Sequence, residues 1–311
     1  MSLMFNDWPE KPLEPSWITI GNFDGVHLGH QELIAQLIAH AKEDNALSVA
    51  LTFWPHPRVY FTQSVEGFYL NDQTEKEELL AKTGLDVIVF LPFNQQLANL
   101  DTMQFMTRLN QSIPIKGLLV GENFALGKGR QGTGEVLQGV CMQIGVPCLH
   151  IAPVMLDGER VSSQRIRQTL DAGQVEETAR LLGRPYVLSG NVAPGKKLGS
   201  KLGFPTANLY FDLQRKLPRY GVYATLVDIE GKSFKSVTSV GIRPTFNDGN
   251  MPSVEVLLLD FDENIYGKLI HVKFVRFLRD EIKFDNVQDL IDQIEQDKIN
   301  ARRVLDNGIQ A

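Results

Sequence analysis

Two histidines close a glycine-rich stretch near the start of the chain, where their spacing suits phosphate chemistry. Residues 21–30 read GNFDGVHLGH and stand between an apolar run and an amphipathic pattern. The stretch is therefore predicted to join a strand to a helix, so that backbone amides and the helix dipole favour an anion there. His27 and His30 would project from one side of the first helical turn, where imidazoles can donate hydrogen bonds to a phosphoryl group.

The residues alone leave two other interpretations of this histidine pair open. The imidazoles could bind a metal ion, although no third ligand follows at helical spacing. They could also be two surface histidines at the start of a helix. Gly21, Gly25 and Gly29 permit a ligand to approach the backbone closely, which favours the phosphate interpretation.

A second glycine-rich stretch, residues 195–208, reads GKKLGSKLGFPTAN. The residues that make it a basic segment suited to ATP phosphates are Gly195, Lys196, Lys197, Gly199, Lys201 and Gly203. Pro205 then fixes the backbone before Thr206 and Asn208, whose side chains alternate to one face of an extended segment. Both side chains offer oxygen ligands to magnesium, a hard cation that prefers oxygen.

Glu255 is a carboxylate inside an otherwise apolar strand pattern, residues 253–259, which read SVEVLLL. Burying a charge without a purpose is costly, so this position is a candidate for function. Phosphorylation of an alcohol needs a group that accepts the hydroxyl proton, and a carboxylate can do this. A strand residue that faces solvent is the alternative, and spacing alone does not separate the two.

Charge and cysteine content restrict the class of protein. The formal net charge of −6 argues against bulk nucleic acid or an anionic membrane surface as partner, and small phosphorylated substrates fit better. Two cysteines, Cys141 and Cys148, provide neither a disulfide framework nor a four-cysteine metal site, so a reducing cytoplasm is expected. No secretory signal and no apolar stretch of the roughly 20 residues that span a bilayer are expected.

The pattern up to residue 182 alternates short apolar runs with amphipathic helices, which is typical of a parallel sheet covered by helices. The predicted strands are residues 17–20, 47–53, 87–91, 118–120 and 148–151. One helical face is marked by Leu33, Ile34, Leu37, Ile38 and Ala41. A capping box at residues 74–77 predicts the start of another helix, and two helices are predicted at residues 163–172 and 174–182.

Strands dominate after a break at residues 183–185, which read GRP. The predicted strands are residues 186–192, 221–229, 234–240, 254–259 and 268–277. Successive strands at hairpin spacing favour a small antiparallel barrel, and apolar periodicity from Asn286 predicts a final helix packed on it. The length of 311 residues is that of about two domains, and we place them at residues 1–183 and 184–311.

Together these motifs resemble the paired signatures of the bacterial bifunctional riboflavin kinase/FAD synthetases, over essentially the whole chain from Trp17 to about Leu305. Besides the two glycine-rich stretches, the matching segments are residues 52–57 (TFWPHP), 121–127 (GENFALG), 162–167 (SSQRIR), 239–246 (SVGIRPTF) and 254–260 (VEVLLLD). One departure is Gln164, which stands where the family has threonine and puts the strength of adenylyl transfer in question at that position.

The resemblance implies a Rossmann-like nucleotidyltransferase domain followed by a β-barrel riboflavin kinase domain with a terminal helix. The first would adenylylate FMN to FAD with release of pyrophosphate, and His27 and His30 would hold the ATP phosphates around the α-phosphorus. The implied nucleotide-binding residues are Gly21, Phe23, Asp24, Gly25, Gly29, Ser163 and Arg167. The implied flavin-binding residues are Phe53, Pro55, His56, Pro57 and Asn123, although residues 52–57 taken alone are also typical of a structural turn.

The second domain would phosphorylate riboflavin to FMN, with Glu255 as general base, the basic segment and Pro205 on ATP, and Thr206 and Asn208 on Mg²⁺. Arg279 and Glu281 would contact the flavin, and a structural ion pair is the alternative for these two. ATP is implied as the co-substrate of both steps.

Three rival functions remain open at this point. They are a riboflavin kinase with weak or absent FAD synthesis, a flavin-binding regulatory protein without turnover, and adenylyl transfer to another small phosphate. The expected partners are riboflavin, FMN and ATP, with no nucleic acid and no membrane. Self-association stays open.

Overall fold

The computed structural model describes residues 2–63, 66–193, 203–244 and 250–306. Contacts between Cα atoms divide the chain into two compact units. The first comprises Met1–Val65 and Asn71–Ser163, and the second comprises Glu66–Leu70 and Gln164–Ala311. Of the predicted kinase residues, Gly195, Lys196, Lys197, Gly199 and Lys201 lie outside the described residues.

The first unit contains a parallel six-stranded sheet with order β1-β4-β3-β2-β5-β8 and two short hairpins, β6-β7 and β9-β10. Its strands are β1 (Leu3–Phe5), β2 (Ser16–Ile20), β3 (Leu47–Trp54), β4 (Val87–Pro92), β5 (Ile115–Gly121), β6 (Ala125–Leu126), β7 (Gly132–Thr133), β8 (Cys148–Ile151), β9 (Met155–Leu156) and β10 (Glu159–Arg160). The predicted parallel sheet is confirmed, because every pair of neighbouring strands in it is parallel.

Helices cover both faces of this sheet and form two cores. They are α1 (Leu28–Glu43), α2 (Pro57–Thr62), α3 (Gln73–Ala81), α4 (Gln95–Ala98), α5 (Thr102–Ser112) and α6 (Gly134–Gln143). On one face, Leu33, Ile34 and Leu37 of α1 are buried against the sheet, as their helical spacing predicted. On the other face, Phe105 of α5 and Leu137 of α6 are buried. The strands are buried on both sides, which explains their continuous apolar runs.

The capping box predicted at residues 74–77 is wrong by two residues. α3 begins at Gln73, and its N-cap is Asp72. The Asp72 carboxylate accepts a hydrogen bond from the Glu75 amide at 2.8 Å, and the Glu75 carboxylate accepts one from the Asp72 amide at 3.3 Å. Asp72 and Glu75 have the same spacing as Thr74 and Glu77, and aspartate is the stronger N-cap residue.

The order of the strands identifies where a ligand site is expected in this sheet. β2 lies between β3 and β5, so the chain runs from β2 outward through β3 to β4 and later returns to β5 on the other side of β2. Open α/β sheets bind ligands beyond the carboxyl ends of the strands at such a reversal of strand order. The loop that follows β2, residues 21–27, lies at this position.

The second unit is a closed antiparallel barrel with order β11-β12-β15-β14-β13-β16. Its elements are α7 (Ser163–Asp171), α8 (Val175–Leu182), β11 (Tyr186–Ala193), β12 (Ala207–Tyr210), β13 (Gly221–Ile229), β14 (Lys232–Pro244), β15 (Asn250–Leu258), β16 (Leu269–Arg279) and α9 (Val287–Asp306). The predicted barrel and terminal helix are confirmed. The domain boundary at residue 183 stays a prediction.

Alternation along the barrel strands separates an interior from an exterior. Val254 and Val256 of β15 and Phe274 of β16 are buried and alternate with less buried neighbours. On the other face of the strands, Val222 and Leu257 form a buried cluster with Ala301 of α9. The terminal helix therefore covers part of the barrel's outer surface. None of the helices in the described ranges is long and apolar enough to cross a membrane.

Candidate active sites

The loop after β2 has a backbone conformation that few residues adopt. Phe23 has φ of 47° and Val26 has φ of 39°, and Gly25 between them has φ of 87°. A non-glycine residue in this left-handed region costs about 1–3 kcal/mol and persists only where the surroundings fix it. Phe23 and Val26 are both buried, so their side chains anchor the loop in the core.

Side chains from neighbouring segments hold the backbone of this loop. The Thr52 hydroxyl donates to the Asn22 carbonyl at 3.2 Å, and the Asn71 side-chain oxygen accepts from the Gly25 amide at 2.7 Å. Because these groups are buried or half-buried, their hydrogen bonds are costly to break. The loop is therefore fixed before any ligand binds.

Ser163, predicted to bind phosphate, donates its hydroxyl to the Asp24 carbonyl oxygen at 2.8 Å. Asp24 itself is 1% exposed. Ser163, the last residue of the first unit, thus braces the loop at Asp24, whereas its predicted contact with phosphate stays a prediction.

His27 and His30 form a stacked pair at the start of α1. His27 is the N-cap, and its Nδ1 accepts a hydrogen bond from the His30 amide at 3.3 Å. The ring centroids are 3.6 Å apart with 15° between the ring planes. A Cβ atom at Gly29 would lie 3.2 Å from Cε1 of His27, so glycine leaves room for that ring. The helix N-terminus and two imidazoles suit a phosphate group at this point.

A metal at the histidine pair has no support among the described residues. No group of three or more His, Cys, Asp or Glu side chains that could hold a metal ion occurs in that part of the chain. The pair lies at a helix N-terminus, where hydrogen bonds to a phosphate would need no third ligand.

The predicted flavin-binding segment of the first unit joins β3 to α2. Phe53 is 7% exposed and packs in the core, with its ring centroid 5.7 Å from that of Phe93. The His56 Nδ1 caps α2 by accepting from the Arg58 amide at 3.0 Å, and Pro57 is the first helical residue. Pro55 follows β3 directly, and Asn123 is exposed in the turn after β5.

Three aromatic residues beside this segment escaped the sequence prediction. The rings of Tyr60 and Phe61 have centroids 5.3 Å apart, and each lies within 5.3–5.7 Å of the Phe93 ring in edge-to-face geometry. Phe61 is 65% exposed despite its size. Only the fold brings Phe93 of a later strand end to the helix that carries Tyr60 and Phe61, so no local pattern identifies the group.

Arg167 of α7 belongs to the second unit. Its Nε donates to the Phe68 carbonyl at 2.9 Å, and the centre of its guanidinium lies 4.2 Å from the Phe68 ring centroid. The stacked guanidinium is thereby oriented. Gln164, the departure from the family pattern, is exposed at the second position of the same helix.

In the barrel, strand pairing brings the predicted base and a predicted metal ligand together. Glu255 of β15 is directly opposite Asn208 of β12 and, on the other side, Ser239 of β14. Directly opposed residues of antiparallel strands share one face, with Cβ atoms about 4.5–5.5 Å apart. Glu255 and Asn208 are therefore neighbours in the barrel, although they lie far apart in sequence.

The sequence left open whether Glu255 is buried or faces solvent, and in the structure it is half-buried. Val254 and Val256, its neighbours in the strand, point into the barrel and are 1% and 0% exposed, whereas Glu255 on the outer face is half-buried. The apolar residues Leu257 and Leu259 that share its face owe their burial to the cover by α9. The apolar run therefore contains residues in two environments, the barrel interior and the outer face. The carboxylate of Glu255 occupies the accessible part of the outer face.

The residues just before β12 carry the remaining predicted ligands. Thr206 is half-buried like Asn208, Pro205 is exposed, and Gly203 has φ of 86°, a conformation that favours glycine. The hydroxyl of Thr206 and the amide oxygen of Asn208 are hard donors of the kind that magnesium accepts.

Arg279 is committed to an ion pair, although not with Glu281. Its Nε lies 2.9 Å from Oδ1 of Asp297 and its Nη2 lies 2.7 Å from Oδ2, in bidentate geometry. Asp297 is 3% exposed and also accepts from the Gln293 side chain at 2.9 Å. The pair joins the end of β16 to α9, so Arg279 has a structural role whether or not it contacts flavin.

Glu281 rests on the glycine of a neighbouring strand. A Cβ atom at Gly241 would lie 2.1 Å from its Oε1, so only glycine permits the carboxylate to approach β14 this closely. Partial desolvation raises the pKa of Glu281, and the positive charge of Arg279 acts in the opposite direction. An open groove with a volume of about 460 Å³ is lined by the residues that follow Glu281, namely residues 282–285, and by Asp289, Asp292 and Gln293.

Comparison with family models assigns the two halves of the chain separately. Residues 10–165 match the FAD synthetase model, and residues 182–305 match the riboflavin kinase model.

Three curated relatives that are named bifunctional riboflavin kinase/FMN adenylyltransferase match this chain along nearly their full length. The Haemophilus influenzae protein is 38% identical over 288 residues, which cover 92% of each chain. The Pseudomonas fluorescens protein is 37% identical with 91% of each chain covered, and that of Escherichia coli K12 is 34% identical with 94% covered.

A solved structure of a macrolide-efflux protein from Streptococcus pneumoniae superposes with a TM-score of 0.87 and 29% identity, covering 97% of this chain and 98% of the other. Its name differs from those of the curated relatives. The two family models, which match each half independently, agree with the relatives.

Proposed function

The chain belongs to the family of bifunctional riboflavin kinase/FMN adenylyltransferases, and from this premise we propose which of its residues carry each reaction. It is a transferase that phosphorylates riboflavin to FMN and adenylylates FMN to FAD, with ATP as co-substrate. The FAD synthetase half is N-terminal and the riboflavin kinase half is C-terminal.

For adenylyl transfer, we assign the ATP phosphates to the loop of residues 21–30. An oxygen of the FMN phosphate, already ionised, forms a bond to the α-phosphorus of ATP while the bond to the β-phosphate oxygen breaks and pyrophosphate leaves. No base is needed, so catalysis depends on position and on stabilising charge. His27 and His30 donate hydrogen bonds to the phosphate oxygens, and the amides at the start of α1 add their partial positive charge.

The flavin of this half is proposed to lie against residues 53–57 and Asn123, with Ser163 on the nucleotide. The nucleotide contact predicted for Arg167, a residue of the second unit, stays a prediction. The exposed ring of Phe61 beside Tyr60 and Phe93 supports an apolar surface at this segment. A flat aromatic substrate gains most from such a surface.

For the kinase step, we assign the proton transfer to Glu255. Its carboxylate accepts the proton of the ribityl 5'-hydroxyl as that oxygen bonds to the γ-phosphorus, and ADP leaves when the bond to the β-phosphate oxygen breaks. The half-buried position on the outer barrel face leaves this carboxylate accessible to substrate. Residues 195–203 and Pro205 are proposed to contact ATP, and Arg279 and Glu281 to border the flavin.

Magnesium is proposed for both steps. In the barrel, Thr206 and Asn208 supply two hard oxygen donors, and the pairing of Asn208 with Glu255 brings them near the base. This donor set fits Mg²⁺, which takes few protein ligands and fills its shell with water and phosphate oxygens. When bound it would neutralise part of the phosphate charge. A cytoplasmic location is also proposed, since both described cysteines are free thiols.

The observation that carries the residue assignment is the direct pairing of Glu255 with Asn208 in the barrel, separate from the histidine pair of the other half. The test is a time course with purified protein, riboflavin, ATP and magnesium, resolving the flavins. FMN should appear first and FAD later. If FMN accumulates and no FAD forms, the adenylyl-transfer assignment is contradicted. If riboflavin stays unchanged, the assignments of both the kinase step and the adenylyl transfer are contradicted.

A further inference from the structure

Lys76 of α3 is a buried lysine beside the first loop, and nothing in the assignment above uses it. Its side chain is 0% exposed, and its Nζ donates to the Asn22 carbonyl at 3.0 Å. The ammonium also lies 5.1 Å from the ring centroid of Trp54. Lysine is almost never fully buried unless its charge is paired, so this burial needs a reason.

The charge that faces Lys76 is the carboxylate of Asp24, itself 1% exposed. Asn22 and Asp24 flank Phe23, the first residue of the loop with a left-handed backbone. Lys76 therefore acts on both sides of a strained position, by a hydrogen bond on one side and by charge on the other. Truncation of Lys76 would remove the positive charge that faces the buried carboxylate of Asp24. It would also remove one hydrogen-bond donor from the Asn22 carbonyl.

We propose that Lys76 is a positioning residue for adenylyl transfer, which holds the loop of residues 21–27 in the conformation that presents the start of α1, with His27 and His30, to ATP. The proposal rests on the assignment of this loop as the nucleotide site. The effect of Lys76 on the reaction is exerted through the loop.

Titration of Lys76 gives a readout that a purely structural role would not. Burial lowers the pKa of Lys76 to about 8, and the negative charge of Asp24 acts in the opposite direction. Below this pH the side chain is charged, and above it the amine is neutral and no longer balances the charge of Asp24. Besides Asp24, the titratable groups of this loop and of the start of α1 are His27 and His30, and the comparison of Lys76→Arg with wild type separates their contribution from that of Lys76. FAD formation from FMN should therefore fall as pH rises through about 8.

The experiment compares Lys76→Met and Lys76→Arg in the full chain with Lys82→Met as control. Lys82 caps the same helix and is exposed, so its substitution removes a lysine without touching the loop. The kcat and the KM for ATP of FMN adenylylation are measured from pH 6 to 10, and riboflavin phosphorylation is measured on the same samples.

Lys76→Met is expected to lower kcat/KM for adenylylation roughly 100-fold, the effect of misplacing reacting groups by about 1 Å. Phosphorylation of riboflavin should be unchanged in this variant. Because arginine stays charged at high pH, Lys76→Arg should adenylylate FMN faster than Lys76→Met. Its adenylylation rate should not fall above pH 8. Lys82→Met should behave as wild type in both reactions.

Either of two results overturns the proposal. The first is a kcat/KM for adenylylation in Lys76→Met that lies within about twofold of the wild-type value. The second is a fall in the adenylylation rate with pH in Lys76→Arg that equals the fall in wild type. If Lys76→Met fails to fold, judged by circular dichroism and urea unfolding of the full chain, the pH profiles of wild type and Lys76→Arg decide. If neither variant folds, the pH profile of FAD formation by the wild-type protein decides. A profile without a fall near pH 8 overturns the proposal, and a profile with that fall supports it. Retention of FAD formation by His30→Ala would instead reject the nucleotide site itself.

Discussion

In the first unit the candidate nucleotide site is a loop between a parallel strand and a helix, whereas in the second it is the outer face of an antiparallel barrel. The loop and the start of α1 are proposed to offer hydrogen-bond donors, namely the first amides of α1 and the rings of His27 and His30, which are stacked. The barrel face offers acceptors, the carboxylate of Glu255 and the oxygen of Asn208. The difference follows from the attacking group, which is an ionised phosphate in one reaction and a neutral alcohol in the other.

The two regions also achieve their geometry in different ways. The loop depends on strained residues held by side chains from other segments, such as Thr52 and Asn71. The barrel depends on strand register, which pairs Glu255 with Asn208 through the backbone ladder. Substitutions that disturb the loop should therefore affect catalysis more than stability, and substitutions beneath the barrel face should affect stability.

The largest expected effect removes the base. Glu255→Gln should slow FMN formation by about 10³-fold, since a neutral amide cannot accept the hydroxyl proton. FAD formation from supplied FMN should be unchanged. Both rates are measured by resolving the flavins over time, and Glu263→Gln, an exposed position of the same unit, is the control. Equal loss of both reactions in a folded Glu255→Gln protein would contradict the separation of the two sites.

The converse change removes a donor from the loop. His30→Ala should lower kcat for FAD formation from FMN by roughly several hundred-fold, the effect of losing a donor to charge that develops in the transition state. FMN formation from riboflavin serves as the internal reference and should not change. His40→Ala, about three turns further along the same helix, should leave both rates near wild type. A similar loss in His40→Ala would assign the effect to the helix rather than to the loop.

A third change tests how far the riboflavin kinase half depends on the buried ion pair that joins β16 to α9. Asp297→Asn breaks the buried pair with Arg279 and should destabilise the riboflavin kinase half by about 3 kcal/mol. The free energy of unfolding is followed in urea through the loss of kinase activity. Asp306→Asn on the same helix breaks an exposed pair with Lys235 and should cost less than about 1 kcal/mol. Equal costs would show that burial of the Arg279 pair is unimportant.

The smallest expected effect separates catalysis from stability in the loop. In Gly29→Ala the new Cβ would lie 3.2 Å from Cε1 of His27 and must displace that ring. Adenylylation should fall about tenfold, whereas the free energy of unfolding should stay constant or rise, because alanine favours the helix by up to about 1 kcal/mol. Kinetics and urea unfolding of one protein sample check both parts. Wild-type adenylylation would indicate that the position of His27 is not critical.

Much of the fold was predictable because periodicity follows from which side of an element is buried. Continuous apolar runs predicted the parallel strands, and the spacing of Leu33, Ile34 and Leu37 predicted the buried face of α1. The short edge strand β1 and the two-residue hairpin strands gave no such signal, because too few residues alternate in them. The start of α3 was misplaced since two capping pairs overlap in sequence.

For the sites, local sequence indicated residues but not their surroundings. Lys76 was missed because a lysine in a polar helical segment is typical of a solvated face, and only the position of α3 beside the loop buries it. For Glu255 the spacing left a buried and a solvent-facing position open, and only the barrel showed that the side chain is directed outward. Burial depends on what packs against an element, and the element's own residues do not specify this.

The sequence by itself determined the order and type of the principal elements, the two glycine-rich stretches and the residue types available for each reaction, because these depend on spacing along the chain. Tertiary structure alone decided that Glu255 lies opposite Asn208, that Arg279 binds Asp297, and that Lys76 supports Asn22. These contacts join residues far apart in sequence, and their formation depends on strand register and helix packing across the whole unit.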